Sequence, residues 1–524
     1  MRRYSLEKFA RLLENIIYSP SRNRKIELLV EYYKQTNDPD RGFAVALITN
    51  SLKLSSIRST NLKQIIKSKV DPILFDLSYD YVGDMAETIS LLWPFKKKKK
   101  LCTLSYFINF FHENSKLQVE KFLISQLDKA STTERWAIIK LFTGGLRIGV
   151  SEKNAKVSLS KFGNVNLDQI EKIWHGFSPP YVKLFSWLEK GGPIPKIDIL
   201  KTFHPMMLAD QIDSKNDFRK LSPDDFEAEW KWDGIRVQLI ISDTDTVIFS
   251  RNGDNITNSF PELRLKTNRN VVLDGELLVG RDLNPTSFND LQQRLNRKKV
   301  SKGILQKFPA FIKLYDILFQ DSKDLRSMKF SRRREILENW FNSNKQDNLD
   351  LSSIIFFENW KDLKKVRNKF LQSSNIYEGI MLKKKNSIYH NGRPKGMWYK
   401  WKRDPKSVDA VLMYAQRGHG KRSSYYSDYT FGVLDGKNLV PIGKAYSGYT
   451  NEELDKLDKF VRKNTIQKFG PVREVEKTLV FEIAFDSISK SKRHKSGLAL
   501  RFPRISKIRW DKSPEEIEDL KRIK

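Results

Sequence analysis

The chain reads as multidomain: an all-α segment, an α+β segment and a terminal β-barrel segment of OB-fold type. Three changes of texture predict this. Residues 1–190 hold long amphipathic stretches with few prolines and with glycines where helices would end. After "WLEKGGPIP" (187–195) the pattern turns to short β runs with helical segments between them. Beyond "WYKWKRDP" (398–405), short strands and Gly turns dominate.

Taken in order, "MRRYSLEKFARLLENIIY" interrupts its apolar positions with Glu7, Arg11 and Glu14, so it predicts an amphipathic helix and not a signal peptide. The paired Gly and Pro of 187–195 mark a linker. The runs "RVQLIIS", "TVIFSR", "NVVLDGELLV" and "AFIKLYDILF" read as strands, and "SFNDLQQRLNRK" and "RRREILENWF" as helices. "SVDAVLMYAQ", "YTFGVLD", "LVPIGKAY" and "TLVFEIAFD", with one helix near 451–464, fit a small Greek-key barrel. The expected domains are 1–200, 201–404 and 405–524.

The 524 residues include 32 Phe, 18 Tyr and 11 Trp, enough for several packed cores and too many for a disordered chain. Lys and Arg number 95 against 63 Asp and Glu, a formal charge of +32 that favours a polyanionic partner. A lysine-rich proteome would give the same sign. The single cysteine, Cys102, excludes a disulfide framework and a multi-cysteine zinc module, and fits a reducing interior. The six histidines show no ligand spacing. No apolar run approaches the roughly 18 residues of a membrane span. A cytoplasmic location is expected, with Lys96–Lys100 a solvated basic loop.

There is no GxxxxGK[ST] phosphate loop. Instead, polar residues interrupt successive apolar strands. Lys231 stands inside "EWKWDGIRVQL" (229–239), where an ammonium is expensive to desolvate without a reason. Arg236 follows it, "SRNG" puts Arg251 on a turn, and "LDGE" puts Glu276 at a strand start. "LYDIL" supplies Tyr315 and Asp316, "YEGIMLKK" Glu378 and Lys383, and "WYKWK" Lys400 and Lys402. Each alone has an ordinary explanation as an edge charge, a cap or a solvated lysine.

As an ordered series they resemble the ATP-dependent DNA ligases of the covalent nucleotidyltransferase superfamily. Lys231–Arg236 resembles the motif KxDGxR; Ser250–Gly253, Asp274–Glu276, Tyr315–Asp316, Glu378–Lys383 and Lys400–Lys402 resemble the motifs that follow, and "LRFPRISKIRWDK" (500–512) the last one. "ERWAIIKLFTGGLRIGVSE" (134–152) is similar to the signature of the helical DNA-binding domain of larger ligases. "FHPMMLA" (203–209) is similar to the start of the nucleotidyltransferase (adenylation) domain, and "RHKSGLALRFPRI" (493–505) points to a bacterial branch. Tyr315 stands where the family often has Phe, with an equivalent π-face.

The resemblance implies a role for each position. Lys231 would attack the α-phosphate of ATP and carry AMP. An amine attacks only when neutral, and removing the proton from an ordinary lysine at pH 7 costs about 4.6 kcal/mol, which burial and nearby cations would reduce. Glu229 would bind the adenine amine and Tyr315 stack on its ring; Arg236, Arg251 and Glu276 would hold ribose and phosphate, with Arg393 in the same region. Lys400 and Lys402 would neutralise the α-phosphate, and Arg501 would orient pyrophosphate in the first step. Glu276 and Glu378 would hold Mg²⁺, with Mn²⁺ substituting. The resemblance implies a bacterial monomer, nucleoid-associated when on DNA, with nicked duplex DNA as its partner, gripped through Gly144, Gly145, Arg147 and Gly149 of "TGGLRIG" by backbone and shape. An ordinary helix cap and turn would explain that loop as well.

An RNA ligase or a capping guanylyltransferase is the nearest enzymatic alternative, since "RWDK" (509–512) fits capping enzymes too. The long helical segment speaks against both, and the missing cysteines against an NAD-dependent ligase. A basic DNA-binding protein with an inactive core is countered by intact Lys231, Glu276 and Glu378.

Overall fold

Where the sequence puts Ser, Thr or Asp ahead of a periodic run, helices begin. Asp84, Thr103, Ser131 and Ser151 each accept a hydrogen bond from the backbone N–H three residues on. The structure, a computed structural model, describes every residue except 1–4, 55–56, 58, 83, 95–98, 144, 215, 244, 296, 298–299, 322, 374–375, 419–424, 471, 492–493 and 524. The chain divides into two units: Met1–Ile170, Phe177–Pro193 and Asp404–Lys524 form one, and Glu171–Gly176 with Ile194–Arg403 the other. From Ser5 to Lys190 the regular structure of the described residues is helical. No helix among the described residues is long and apolar enough to cross a membrane.

The Ile194–Arg403 unit is built on seven long strands: β1 (Phe226–Trp232), β2 (Ile235–Ile241), β3 (Thr246–Ser250), β4 (Val271–Arg281), β5 (Ala310–Gln320), β6 (Tyr377–Lys384) and β7 (Trp398–Lys402). They form two sheets. In one, β7, β6 and β1 are neighbours, flanked by Asp210–Gln211 and Ile354–Ile355; in the other the order is β3, β2, β4, β5, with short strands at its margins. Asp233 and Gly234 therefore carry the chain from one sheet to the other. A Cβ at Gly234 would stand 2.6 Å from the Leu277 carbonyl, so only glycine makes this crossing.

Alternation sorts the side chains into three layers. Val237, Leu239 and Ile241 of β2 and Val271, Leu273 and Leu277 of β4 face an outer core with Leu337 and Trp340 of the helix Phe330–Ser343. Phe226 and Ala228 of β1, Ile380 and Leu382 of β6 and Trp401 of β7 face a second outer core with Leu363 of the helix Trp360–Ser373. Between the sheets, Ile240, Phe249, Val272, Leu318, Phe319 and Trp398 belong to a third core, beside which the polar residues gather.

Among the described residues of the "SFNDLQQRLNRK" stretch, the helix covers Phe288–Gln292. Glu276, expected at a strand start, lies in the middle of β4. The segment 405–524 contributes β8 (Lys406–Arg417), β9 (Tyr426–Asp435), β10 (Asn438–Ala445), β11 (Thr465–Phe469), β12 (Val472–Val475), β13 (Val480–Phe485), β14 (Ser487–Lys490), β15 (Leu498–Arg501) and β16 (Arg504–Arg509). All but the β14–β15 hairpin join one seven-stranded antiparallel sheet. The helix Asn451–Lys463, opened by a Thr450–Glu453 capping box, sends Leu457 and Val461 into that core.

One buried ion pair ties β5 to the helix beside it. Arg333 Nε and Nη2 donate to the two oxygens of Asp316 at 2.8 and 2.9 Å, both side chains fully buried. Arg333→Met would strand the Asp316 charge, so unfolding in urea should show a loss of about 3–5 kcal/mol. Adding Asp316→Leu should recover part of it; an unchanged midpoint for Arg333→Met would contradict this role.

Candidate active site

Opposite residues of antiparallel strands share a face, and the register between β1, β6 and β7 gathers the polar set. Lys231 pairs with Gly379, which pairs with Lys402; Glu229 pairs with Met381, which pairs with Lys400. Glu229, Lys231, Lys383, Lys400 and Lys402 therefore point into the space between the sheets. From the second sheet, Arg236 of β2 lies opposite Glu276 of β4 on the inner face.

Two residues reach this space by breaking the alternation. The β1–β6 register shifts between Tyr377 and Gly379, leaving Glu378 as an extra residue. Simple parity would place Glu378 with Ile380 and Leu382 on the outer face; the bulge turns it inward, where Lys231 Nζ donates to its Oε2. Gly379 has φ +150°, and a Cβ there would sit 2.1 Å from the Trp401 carbonyl, so the bulge needs glycine. Likewise the β4–β5 register shifts between Asp274 and Gly275, and Tyr315 is the residue left over.

Lys231 is 22% exposed and Glu378 20%. The sequence led us to expect burial and cations alone around the lysine; the structure also gives it a carboxylate partner. Its ammonium is an ion pair here, and its proton already has an acceptor in contact. Glu276 is pushed up to about 7 by burial, with Lys231 opposing and Glu378 reinforcing the shift. Lys400 is held below the usual lysine range by burial and by the fields of Arg393, Lys402, Lys231 and Arg251. Five cations thus act on one small volume. Such a field suits the phosphates of a nucleotide.

Several expected contacts find other partners in this structure. Arg236 donates from Nη1 to the Met207 carbonyl and from Nη2 to Asp274 Oδ2, both at 2.6 Å. Tyr389 donates to the same Asp274 oxygen at 2.6 Å. Asp274 and Tyr389 are therefore site-building residues that motif reading left without a role, although Asp274 lies within "LDGE". Glu229 is buried and accepts from Lys383 at 3.1 Å. Lys383 lies 4.4 Å from the Tyr315 ring centroid, and burial holds its amine below the usual range. Arg251 and Arg393 are exposed, the latter 3.9 Å from Asp210.

The remaining residues belong to the other unit. Gly144 lies outside the described residues. Gly145 (φ +109°), Arg147 (φ +51°) and Gly149 (φ +72°) lie in the loop between the helices Thr132–Lys140 and Glu152–Gly163. Leu146 and Ile148 are buried while Arg147 and Gly149 are exposed, so apolar anchors hold a loop that turns its glycine and arginine outward. Lys25 Nζ donates to the Ile148 carbonyl at 2.7 Å. Arg501 ends β15, and Lys512 and Arg509 both pair with Asp409, at 2.5 and 3.5 Å.

A partly buried lysine paired with a carboxylate, a second carboxylate beside it and a set of cations between two sheets suit a nucleotidyltransferase. Comparison with known proteins specifies which kind. Residues 206–402 match the model of the "ATP dependent DNA ligase domain", and 422–512 that of the "ATP dependent DNA ligase C terminal region". A "Probable DNA ligase" of Koribacter versatilis is 30% identical, the alignment covering 99% of this chain and 96% of that protein. A "DNA ligase" of Methanococcus maripaludis is 30% identical over 94% of this chain and 89% of its own length. The solved structure described as "Pmar-Lig_PreS3" shares the fold, with a TM-score of 0.63 at 18% identity over 96% of this chain and 99% of that one. The chain belongs to the ATP-dependent DNA ligase family, enzymes that seal nicks in DNA with ATP.

The Glu276 shift has a measurable consequence. Its carboxyl titrates near 7 in the folded chain but near 4.5 when unfolded, so the folded state binds the proton more tightly. Stability from this group is complete below pH 4.5 and is lost as pH rises through 7. Without divalent metal, Glu276→Gln should therefore be more stable than the parent at pH 8, by at most ~3 kcal/mol, with the gap closing by pH 5. Melting curves at both pH values test this; a gap of equal size at each would refute it.

Proposed function

We propose that Lys231 is the residue that carries AMP. The observation that supports this is its place between Glu378 and the cations Arg251, Arg393, Lys400 and Lys402. The Lys231 nitrogen attacks the α-phosphorus of ATP, the bond to the pyrophosphate oxygen breaks, and the ammonium proton leaves towards Glu378. Lys400 and Lys402 stabilise charge on the α-phosphate as it develops. Tyr315 stacks on adenine, Glu229 accepts from its amine, and Arg236, Arg251, Glu276 and Arg393 bound the ribose and phosphates. AMP then passes to the 5′-phosphate at a nick, and the 3′-hydroxyl displaces it.

Two carboxylates suit Mg²⁺, which takes one or two from protein and the rest from phosphate and water. Glu276 and Glu378 supply that number; among the described residues no group of three or more His, Cys, Asp or Glu forms a self-sufficient metal cage. The ion, or Mn²⁺ in its place, would neutralise phosphate charge. We assign Arg501 to the first step, orienting pyrophosphate, and read 405–524 as an OB-fold domain. Its long β8, which pairs with β13 along its first half and with β9 and β12 along its second, supports that reading. The 201–404 segment is the adenylation domain and 1–200 the DNA-binding one, the enzyme acting as a monomer.

Incubation with α-labelled ATP should give a covalent AMP adduct, and ATP, not NAD, should support sealing of a singly nicked duplex. Arginine keeps its proton at any working pH. Lys231→Arg should therefore give no adduct; an acid-labile AMP adduct on that variant would overturn the assignment.

The exposed Arg147, held outward by buried Leu146 and Ile148, supports a phosphate contact from the helical segment. Arg147→Ala should weaken binding to nicked duplex regardless of sequence and reduce the slope of log K against log salt by about 1. Titrations between low and moderate salt check this, and an unchanged slope would count against the contact.

A further inference from the structure

Two cations address one oxygen of Glu229. Lys383 Nζ donates to Oε1 at 3.1 Å, and Arg334 Nη1 stands 3.8 Å from the same atom. Among the described residues, Oε2 accepts no hydrogen bond. Arg334 projects from the helix Phe330–Ser343 and is itself buried, its side chain 7% exposed. Nε donates to Glu338 Oε1 at 2.7 Å and Nη2 to the Ser352 carbonyl at 2.8 Å. Ser352 is in turn held by Trp232 Nε1, which donates to its hydroxyl at 3.0 Å. The guanidinium is thus fixed along two edges, while Nη1 makes no hydrogen bond. A buried N–H without an acceptor is costly, and here it stands at ion-pair distance from a buried carboxylate.

We propose that Arg334 is a positioning residue for nucleobase selection: with Lys383 it fixes Glu229 so that Oε2 is left as the acceptor for a 6-amino group. This rests on the assignment of Glu229 to the nucleobase. A carboxylate only accepts hydrogen bonds, so a 6-amino purine satisfies it, a 6-oxo purine sets acceptor against acceptor, and a purine bare at that carbon leaves it unpaired. Fixing Oε1 from two sides removes the freedom that would let Glu229 turn away from the wrong base. Lys383 also lies over the Tyr315 ring and donates to the Tyr315 carbonyl at 3.3 Å, so the stacking surface and the acceptor are held by one side chain.

The test compares covalent adduct formation with ATP, GTP and purine riboside triphosphate, which lacks the 6-amino group. The full-length parent should favour ATP strongly. Arg334→Met should lose roughly tenfold or more of the ATP preference over purine riboside triphosphate, through a raised KM for ATP, while the rate with the bare purine stays near the parent's. A purely structural role would lower both rates together. Glu338→Ala frees the far edge of the guanidinium at a half-exposed site, should fold normally, and should lose a smaller part of the preference. If both variants keep the parental preference while Glu229→Gln abolishes it, the positioning role is wrong and the Glu229 assignment stands. If Glu229→Gln also keeps the preference, the assignment fails and the proposal with it.

Discussion

One residue too many in β6 is what the site depends on. Without the shift between Tyr377 and Gly379, Glu378 would lie on the outer face among Ile380 and Leu382, and Lys231 would lack its carboxylate. The shift survives because Gly379 presses against the Trp401 carbonyl where no side chain fits. A second surplus residue brings Tyr315 inward from β5 while leaving Asp316, next in sequence, buried on Arg333. A bulge lets neighbouring residues face the same way, which regular alternation forbids. Both sheets thereby contribute to one volume without lengthening any strand.

The electrostatics of that volume make sense only with an anion in it. Arg393, Lys402, Lys231 and Arg251 all act on Lys400, which burial also holds below its ordinary range. Against them stand Glu378 and Glu276, the latter resisting ionisation until about pH 7. Phosphate oxygens would relieve the repulsion among the cations, so part of the energy of nucleotide binding is prepared beforehand as mutual repulsion. The same imbalance has a cost in stability, as expected where polar groups are held for function and not for folding.

Much of this was legible in the chain. Period-2 alternation marks β2, β4 and β5, and Gly234 marks the crossing between sheets; the short polar interruptions name Lys231, Glu276, Tyr315, Glu378, Lys400 and Lys402. What alternation could not show was inward orientation at Glu378 and Tyr315, because a bulge is a property of two strands paired and neither strand reveals it alone. The contact between Asp274 and Tyr389 stayed hidden for a similar reason: 115 residues separate them, and only the fold puts the phenol 2.6 Å from the carboxylate that also holds Arg236. Arg334 belongs to a helix whose sequence, "RRREILENWF", reads as an ordinary amphipathic surface.

Why the middle layer is ionic at all follows from what it must bind. Two sheets facing each other could fill the space with Val and Ile, as the outer layers do, and replacing buried ion pairs by apolar side chains is often neutral or stabilising. An apolar slot, however, cannot tell one purine from another by more than shape, and it cannot hold a triphosphate. The arrangement divides the labour by depth. Ile240, Val272, Leu318, Phe319 and Trp398 fill part of the gap and fix the spacing of the sheets. Next to them, the pairs Arg236–Asp274, Lys383–Glu229 and Arg333–Asp316 keep nearly all their charge away from water, the first within one sheet, the second within the other, and the third between β5 and the helix beside it. Lys231 and Glu378, about one-fifth exposed, are left at the wetter edge where a nucleotide phosphate can reach them. The buried pairs hold the frame, and the accessible pair is the one that, in the proposed mechanism, exchanges its partner for substrate.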